Sequence, residues 1–187
     1  MNIILFGPPG AGKGTQSKYL VNKINGFQIS TGDMLRDEIK NDSDIGKMII
    51  NDMNDGKFVS DKIVNELIKT VIFDPKKKGK LIFDGYPRSL SQAKNLDLLL
   101  ESSNQKIDFI FFLNVNKETI IKRIKKRKSI ENRSDDETNT ILNRYETYME
   151  TTRPVLDFYS KNSYFYEIDG TQEIDEITRK IDTFINV

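Results

Sequence analysis

Residues 7–15 read GPPGAGKGT, and Gly7, Gly12 and Lys13 carry the Gly-x4-Gly-Lys spacing of a phosphate-cradling loop. Glycines at 7, 10, 12 and 14 let backbone N–H groups turn toward one point, where a following helix would aim its positive end. Lys13 would then sit against the β and γ phosphates of a nucleotide. In most such loops the next residue is Ser or Thr, whose hydroxyl ligates magnesium; here it is Gly14, and the hydroxyl follows on Thr15.

Three further segments carry candidate chemistry. LIFDGYPR, residues 81–88, is an apolar run ending in Asp84, where a carboxylate faces magnesium directly or through water. Gly85 removes a side chain where a ligand could approach the backbone, and Arg88 projects from the same end. STGDMLR, residues 30–36, places Thr31 and Asp33 at a helix start with Arg36 about one turn in, a second anion site apart from the loop. The last is the arginine set Arg123, Arg127, Arg133 and Arg144. Arg123 and Arg127 are four apart and share a helix face. KRIKKRK fits a phosphate clamp, a solvated helix face or a nucleic-acid patch, but no aromatics interleave it, and Ile120, Ile121 and Ile124 mark an amphipathic helix.

Alternating strands and helices must hold these groups. Apolar runs at 2–6, 27–30, 81–84, 107–115 and 163–169 read as strands. Periodic segments read as helices: from residue 13, from a cap at Ser60, and at 91–102, 116–127, 135–152 and 171–185, with Pro154 breaking or restarting the helix near it. The pattern predicts an α/β three-layer sandwich: a five-stranded parallel sheet, helices on both faces, ligands at the strands' carboxyl ends. Two interruptions stand out, a mostly helical insert at 30–59 and a polar break at about 127–135. The remaining core is 1–29, 60–126 and 136–187, all within one domain.

Composition excludes several alternatives. The 187 residues include 29 Lys and Arg against 28 Asp and Glu, so no global charge draws the chain to nucleic acid or membrane. There is no cysteine and hence no thiolate zinc site; there is no histidine, which removes Ser-His triads and the commonest general base. The leading IILF is far too short for a signal peptide, and no apolar run is long enough to span a membrane, so the expected location is cytoplasmic.

Taken together, GPPGAGKGT, STGDMLR, GKFVSD, DGYPRSLSQA, RIKKR, RSDD with Arg144 beyond it, and IDGT resemble the adenylate kinases, within the nucleoside monophosphate kinases. The resemblance covers essentially the whole chain in the right order. It implies a P-loop NTPase-like fold and reversible phosphoryl transfer from MgATP to AMP, giving two ADP, by a chain acting as a monomer. In this family the loop reads Gly-Lys-Gly-Thr, so Gly14 is no defect. Gly10, Ala11, Gly12, Lys13, Gly14 and Thr15 would hold the ATP phosphates, with Thr15 near the α phosphate. Arg123 would stack on the ATP adenine, which a carbonyl around Gln172 would also meet, and Arg127 would reach the transferring phosphates. Thr31, Arg36, the backbone of Lys57, Phe58 and Val59, the turn of Gly85, Tyr86, Pro87 and Arg88, and Gln92 would form the AMP pocket, joined by Arg133 and Arg144. Lys13, Arg88, Arg127, Arg133 and Arg144 would supply catalytic charge. Magnesium would be held mainly by ATP phosphates and by waters that Asp84 orients.

Thr31 and Gln92 match the adenylate pattern, whereas UMP/CMP kinases of the same fold tend to have a small residue and an asparagine there. Besides that acceptor alternative stands a non-catalytic ATP-binding module. Only five residues separate Arg127 from Arg133, which resembles the short-lid form, with Asn132 where a glycine is usual.

Overall fold

The computed structural model describes residues 1–131 and 138–185. Strands β1 (Ile3–Phe6), β2 (Phe27–Ser30), β3 (Leu81–Asp84), β4 (Phe109–Asn114) and β5 (Phe165–Asp169) form one sheet in the order β2-β3-β1-β4-β5. Every pairing is parallel. The expected runs at 2–6, 107–115 and 163–169 shorten by one, three and two residues. At the first of them the reason is chemical. Asn2 does not pair as a strand residue; its buried side chain donates to Lys106 O (2.9 Å) and accepts from Leu81 N–H (3.1 Å). This amide ties the amino ends of β1 and β3 to the approach to β4.

Both faces of the sheet are covered, as an all-parallel sheet requires. Side chains alternate along β1, so Ile4 and Phe6 enter one core while Ile3 and Leu5 enter the other. The first core is closed by α4 (Asp61–Ile72), α5 (Leu90–Ser102) and α8 (Arg153–Tyr159), through Ile68, Leu96 and Val155. The second is closed by α1 (Lys13–Ile24), α6 (Lys117–Glu131) and α9 (Ile174–Asp182), through Leu20, Ile124 and Ile181. The insert at 30–59 contains α2 (Thr31–Lys40) and α3 (Asp44–Asn54), whose Leu35 and Ile49 join the first core.

Some local readings change. The cap of α2 is Ser30, whose hydroxyl accepts from Asp33 N–H, leaving the Thr31 hydroxyl for other work. Ser60 does precede α4, but its side chain makes no capping bond. Helix α6 runs on to Glu131, into the stretch expected as a polar break. Pro154 restarts a helix rather than ending one. Between α7 (Thr138–Thr147) and α8 lies a π-helical turn, Tyr148–Thr152, with Pro154 in the first turn of α8. Proline lacks the N–H that would reach back four residues and its ring crowds that carbonyl, and the widened turn absorbs both effects.

With β3 on one side of β1 and β4 on the other, successive connections diverge at the carboxyl end of β1. That divergence opens a crevice where α/β sheets bind ligands. No helix among the described residues is long and apolar enough to cross a membrane.

Replacing Asn2 by Ala would leave the Leu81 N–H buried without a partner, which costs about 1–3 kcal/mol. Urea unfolding of Asn2→Ala should therefore show a lower midpoint with an unchanged slope.

Candidate active site

Strand β1 delivers the chain to the loop at its carboxyl end, and the loop begins α1 at Lys13. Gly10 has a φ of +78°, and a Cβ there would lie 2.7 Å from Ile124 Cγ1, so the loop rests against α6 only because this residue is glycine. Gly12 caps α1 in the left-handed conformation, with no side-chain cap and no acidic residue in the first turn. The positive end of the helix is thus left for an external anion. The Lys13 ammonium folds over the loop and donates to Gly7 O (2.8 Å) and Pro8 O (3.0 Å).

Asp84 ends β3 beside this loop. A Cβ at Gly14 would lie 3.5 Å from Asp84 Oδ2, so the residue after Lys13 faces the carboxylate. Gln28 of β2 donates to the same oxygen at 3.1 Å. The β2–β3 register explains this contact: Gln28 pairs with Ile82 and Ser30 with Asp84, so Gln28 and Asp84 stand diagonally on one face. Sequence reading missed Gln28, because nothing short of the register brings it there.

The turn after β3 holds the second cluster. Gly85 has a φ of +74°, and a Cβ on it would meet Arg88 Nη2 at 2.9 Å. Arg88 Nε donates to Gly85 O at 2.6 Å, and the guanidinium lies over the Phe58 ring, 5.2 Å from its centroid. Thr31 is buried and donates to the same Gly85 carbonyl at 2.8 Å, tying the start of the insert to the turn. Arg36 pairs with Asp33 at 2.6 Å.

Lys13, Arg36, Lys57, Phe58, Gly85, Pro87, Arg88 and Arg144 line one cleft of about 720 Å³, measured to include its open mouth. The loop lysine and the arginines expected to form a second anion site therefore open onto a common space. Leu35, Met53, Tyr148 and Thr152 line it too, and sequence reading missed all four. Thr152 donates to Arg88 O at 3.0 Å. Its only signal, a position just before Pro154, gives no hint of that contact.

Electrostatics tie the cations together. Burial pushes the Lys13 ammonium down from its ordinary 10.5 to about 8; Asp84 opposes the shift, and Arg88, Arg144 and Arg127 add to it. All of these charges are near enough to act on Lys13.

Other expected residues fall elsewhere. Tyr86 turns its ring into the core, donating to Asn65 Oδ1 at 2.9 Å, and its hydroxyl is pushed up to about 12 by burial. Val59 is buried in the same core. Gln92 lies behind the turn, only 2% exposed, its amide bonded to Arg88 N–H and Asp61. Gly10, Ala11, Gly12, Gly14 and Thr15 form the loop and helix start without being part of the cleft lining. Arg123 bridges to the loop after β5, donating to Gly170 O (2.7 Å) and Gln172 O (3.2 Å). It and Gln172 are thus neighbours. Arg133 and Asn132 lie outside the described residues.

A glycine loop at the end of the central strand of a parallel sheet, opening onto the cleft that Arg36 and Arg88 also line, is the arrangement of a P-loop protein. The family model described as adenylate kinase matches residues 5–164. The chain is 47% identical to the adenylate kinase of Pelagibacter ubique over 213 aligned positions, covering 100% of both chains. It is 41% identical to that of Maricaulis maris over 181 positions, 97% of this chain and 96% of the other. With the Mycoplasma capricolum adenylate kinase it shares 40% over 195 positions, 90% of this chain and 91% of the other. The chain belongs to the adenylate kinase family.

A bound phosphate would restore the Lys13 pKa toward its ordinary value. Below pH 7 the lysine is protonated with or without ligand; above pH 8 the free protein has lost that proton and binding must recover it. Calorimetry of ATP binding in buffers of different ionisation enthalpy should show proton uptake near zero at acidic pH, rising toward about one per site at alkaline pH.

Proposed function

We propose that the chain transfers the γ-phosphoryl group of MgATP reversibly to AMP, giving two ADP. The observation that carries this reading is the single cleft in which the loop lysine and the Arg36–Arg88 anion site meet. A protein that holds one nucleotide has no use for the second site.

On this reading the loop backbone from Gly10 to Thr15 and Lys13 hold the donor phosphates, and Arg123 and the Gln172 carbonyl meet the donor adenine. Arg36 and Arg88 grip the acceptor phosphate, with Thr31, the 57–59 backbone, the 85–88 turn and Gln92 around its base. Lys13, Arg88, Arg127 and Arg144 surround the group in transfer. The acceptor oxygen is already ionised at neutral pH, so no base need remove a proton, which suits a chain with no histidine. The chemistry asks for in-line placement and for positive charge around the equatorial oxygens.

Magnesium suits the residues present. Asp84 offers a hard oxygen ligand beside the loop, and among the described residues no group of three or more His, Cys, Asp or Glu could hold a metal ion. A cation that keeps several waters and takes its other ligands from phosphates fits that setting. When bound, it supplies charge across the phosphate oxygens; Asp84 would orient its waters.

The insert at 30–59 and a short lid at about 127–135 would close over both nucleotides, excluding water that would otherwise hydrolyse ATP. The reading includes a monomer acting in the cytoplasm.

Assaying MgATP separately with AMP, UMP, CMP and GMP tests the proposal. AMP should be the fastest acceptor; faster UMP turnover overturns the acceptor assignment, and no turnover with any of them leaves only a binding module. Lys13→Ala should lower kcat by on the order of 10²–10³ without loss of fold, as expected when one charged donor to the transition state is removed.

A further inference from the structure

The Gln92 amide is held at both ends by partners of opposite kind. Its Oε1 accepts from Arg88 N–H at 2.7 Å, and its Nε2 donates to Asp61 Oδ1 at 2.7 Å. The second Asp61 oxygen, Oδ2, accepts from Ser89 Oγ at 2.9 Å. Ser89 in turn caps α5 by accepting from Gln92 N–H at 3.1 Å. Asp61 stands at the first position of α4, directly after the insert and its 57–59 segment.

A primary amide can be turned over with little change in shape, exchanging a donor for an acceptor. The two partners here do not permit that exchange. A backbone N–H only donates, and an ionised carboxylate only accepts. Turning Gln92 over would set its oxygen against Asp61 and its NH₂ against the Arg88 N–H. Two hydrogen bonds would be lost and two repulsive contacts made in a buried place.

We propose that Asp61 is a positioning residue for acceptor specificity: by holding Gln92 Nε2 it dictates which side of the amide donates and which accepts. This rests on Gln92 meeting the acceptor base. In the observed orientation the amide keeps one lone pair on Oε1 and one N–H on Nε2. Those complement the adenine edge, where the 6-amino group donates and N1 accepts. A 6-oxopurine, as in GMP or IMP, has the reverse order, an accepting O6 and a donating N1–H. It would require the turned-over amide, which Asp61 opposes at one end and the Arg88 N–H at the other.

The test compares AMP with IMP as acceptor, each with MgATP, in the wild type and in Asp61→Ala, Asp61→Asn and Gln92→Ala. Asp61→Ala should raise KM for AMP and narrow the AMP-to-IMP ratio of kcat/KM by on the order of tenfold, the worth of one buried hydrogen bond. KM for MgATP should not change. Asp61→Ala also strips a partner from the Ser89 cap, so Asp61→Asn gives a second reading. It keeps an oxygen for Nε2 but can itself turn over, and should narrow the ratio by less. If Gln92→Ala narrows the ratio while neither Asp61 variant does, Asp61 does not set the amide and the proposal is overturned. Equal loss with AMP and IMP in the Asp61 variants overturns it too, since a structural defect spares no acceptor. A ratio unmoved by Gln92→Ala overturns the base-reading role of Gln92 itself, and the proposal with it.

Discussion

The site depends on keeping like charges close together. Burial brings Lys13 down to about 8 against the pull of Asp84, and Arg88, Arg144 and Arg127 add to the shift. Such a cluster repels itself, and on the proposed reading the phosphates of the two bound nucleotides would relieve that repulsion. The protein must supply the framework that holds it meanwhile. β1, β3 and β4 do so as buried strands covered on both faces, with Lys13 carried by the loop after β1 and Arg88 by the turn after β3. Asp84 stands beside the loop as a local counter-charge.

Elements distant in sequence bind that framework to the insert. Thr140 of α7 donates to Asn54 O at 3.1 Å and Asn143 to Asp55 O at 3.2 Å, so α7 grips the end of α3. Gly56 allows this approach, since a Cβ there would meet Thr140 O at 2.9 Å. Phe58 follows closely and lies against the Arg88 guanidinium, and Thr152 holds the Arg88 carbonyl. The arginine is thus fixed from its own turn, from the insert and from the start of α8. A group held from three directions loses little further freedom when it meets a phosphate, the condition for effective electrostatic stabilisation.

On the proposed reading, the acceptor pocket depends less on charge than on direction. Thr31 and Gln92 are spent on the protein's own carbonyl, amide and carboxylate partners. Those bonds leave each group with a defined polarity, and defined polarity is what separates one base edge from another.

The family motifs, the strand–helix alternation and the loop's glycines were legible in the residues themselves, because they rest on local rules: backbone conformations that suit glycine, periodic burial, and the charge a phosphate needs. That Gly14 faces the Asp84 carboxylate, in contrast, only the fold showed. Gln28, Tyr148 and Thr152 carried no such mark, and Asp61, though the last residue of GKFVSD, had no role to read from it. Gln28 reaches Asp84 only through a parallel register, Asp61 reaches Gln92 across 31 residues, and Thr152 reaches Arg88 across 64. Sequence alone determined the family and marked the groups proposed to bind and transfer phosphate. Tertiary structure decided which way each one faces, because direction is set by hydrogen-bond partners that the fold, not the chain order, makes neighbours.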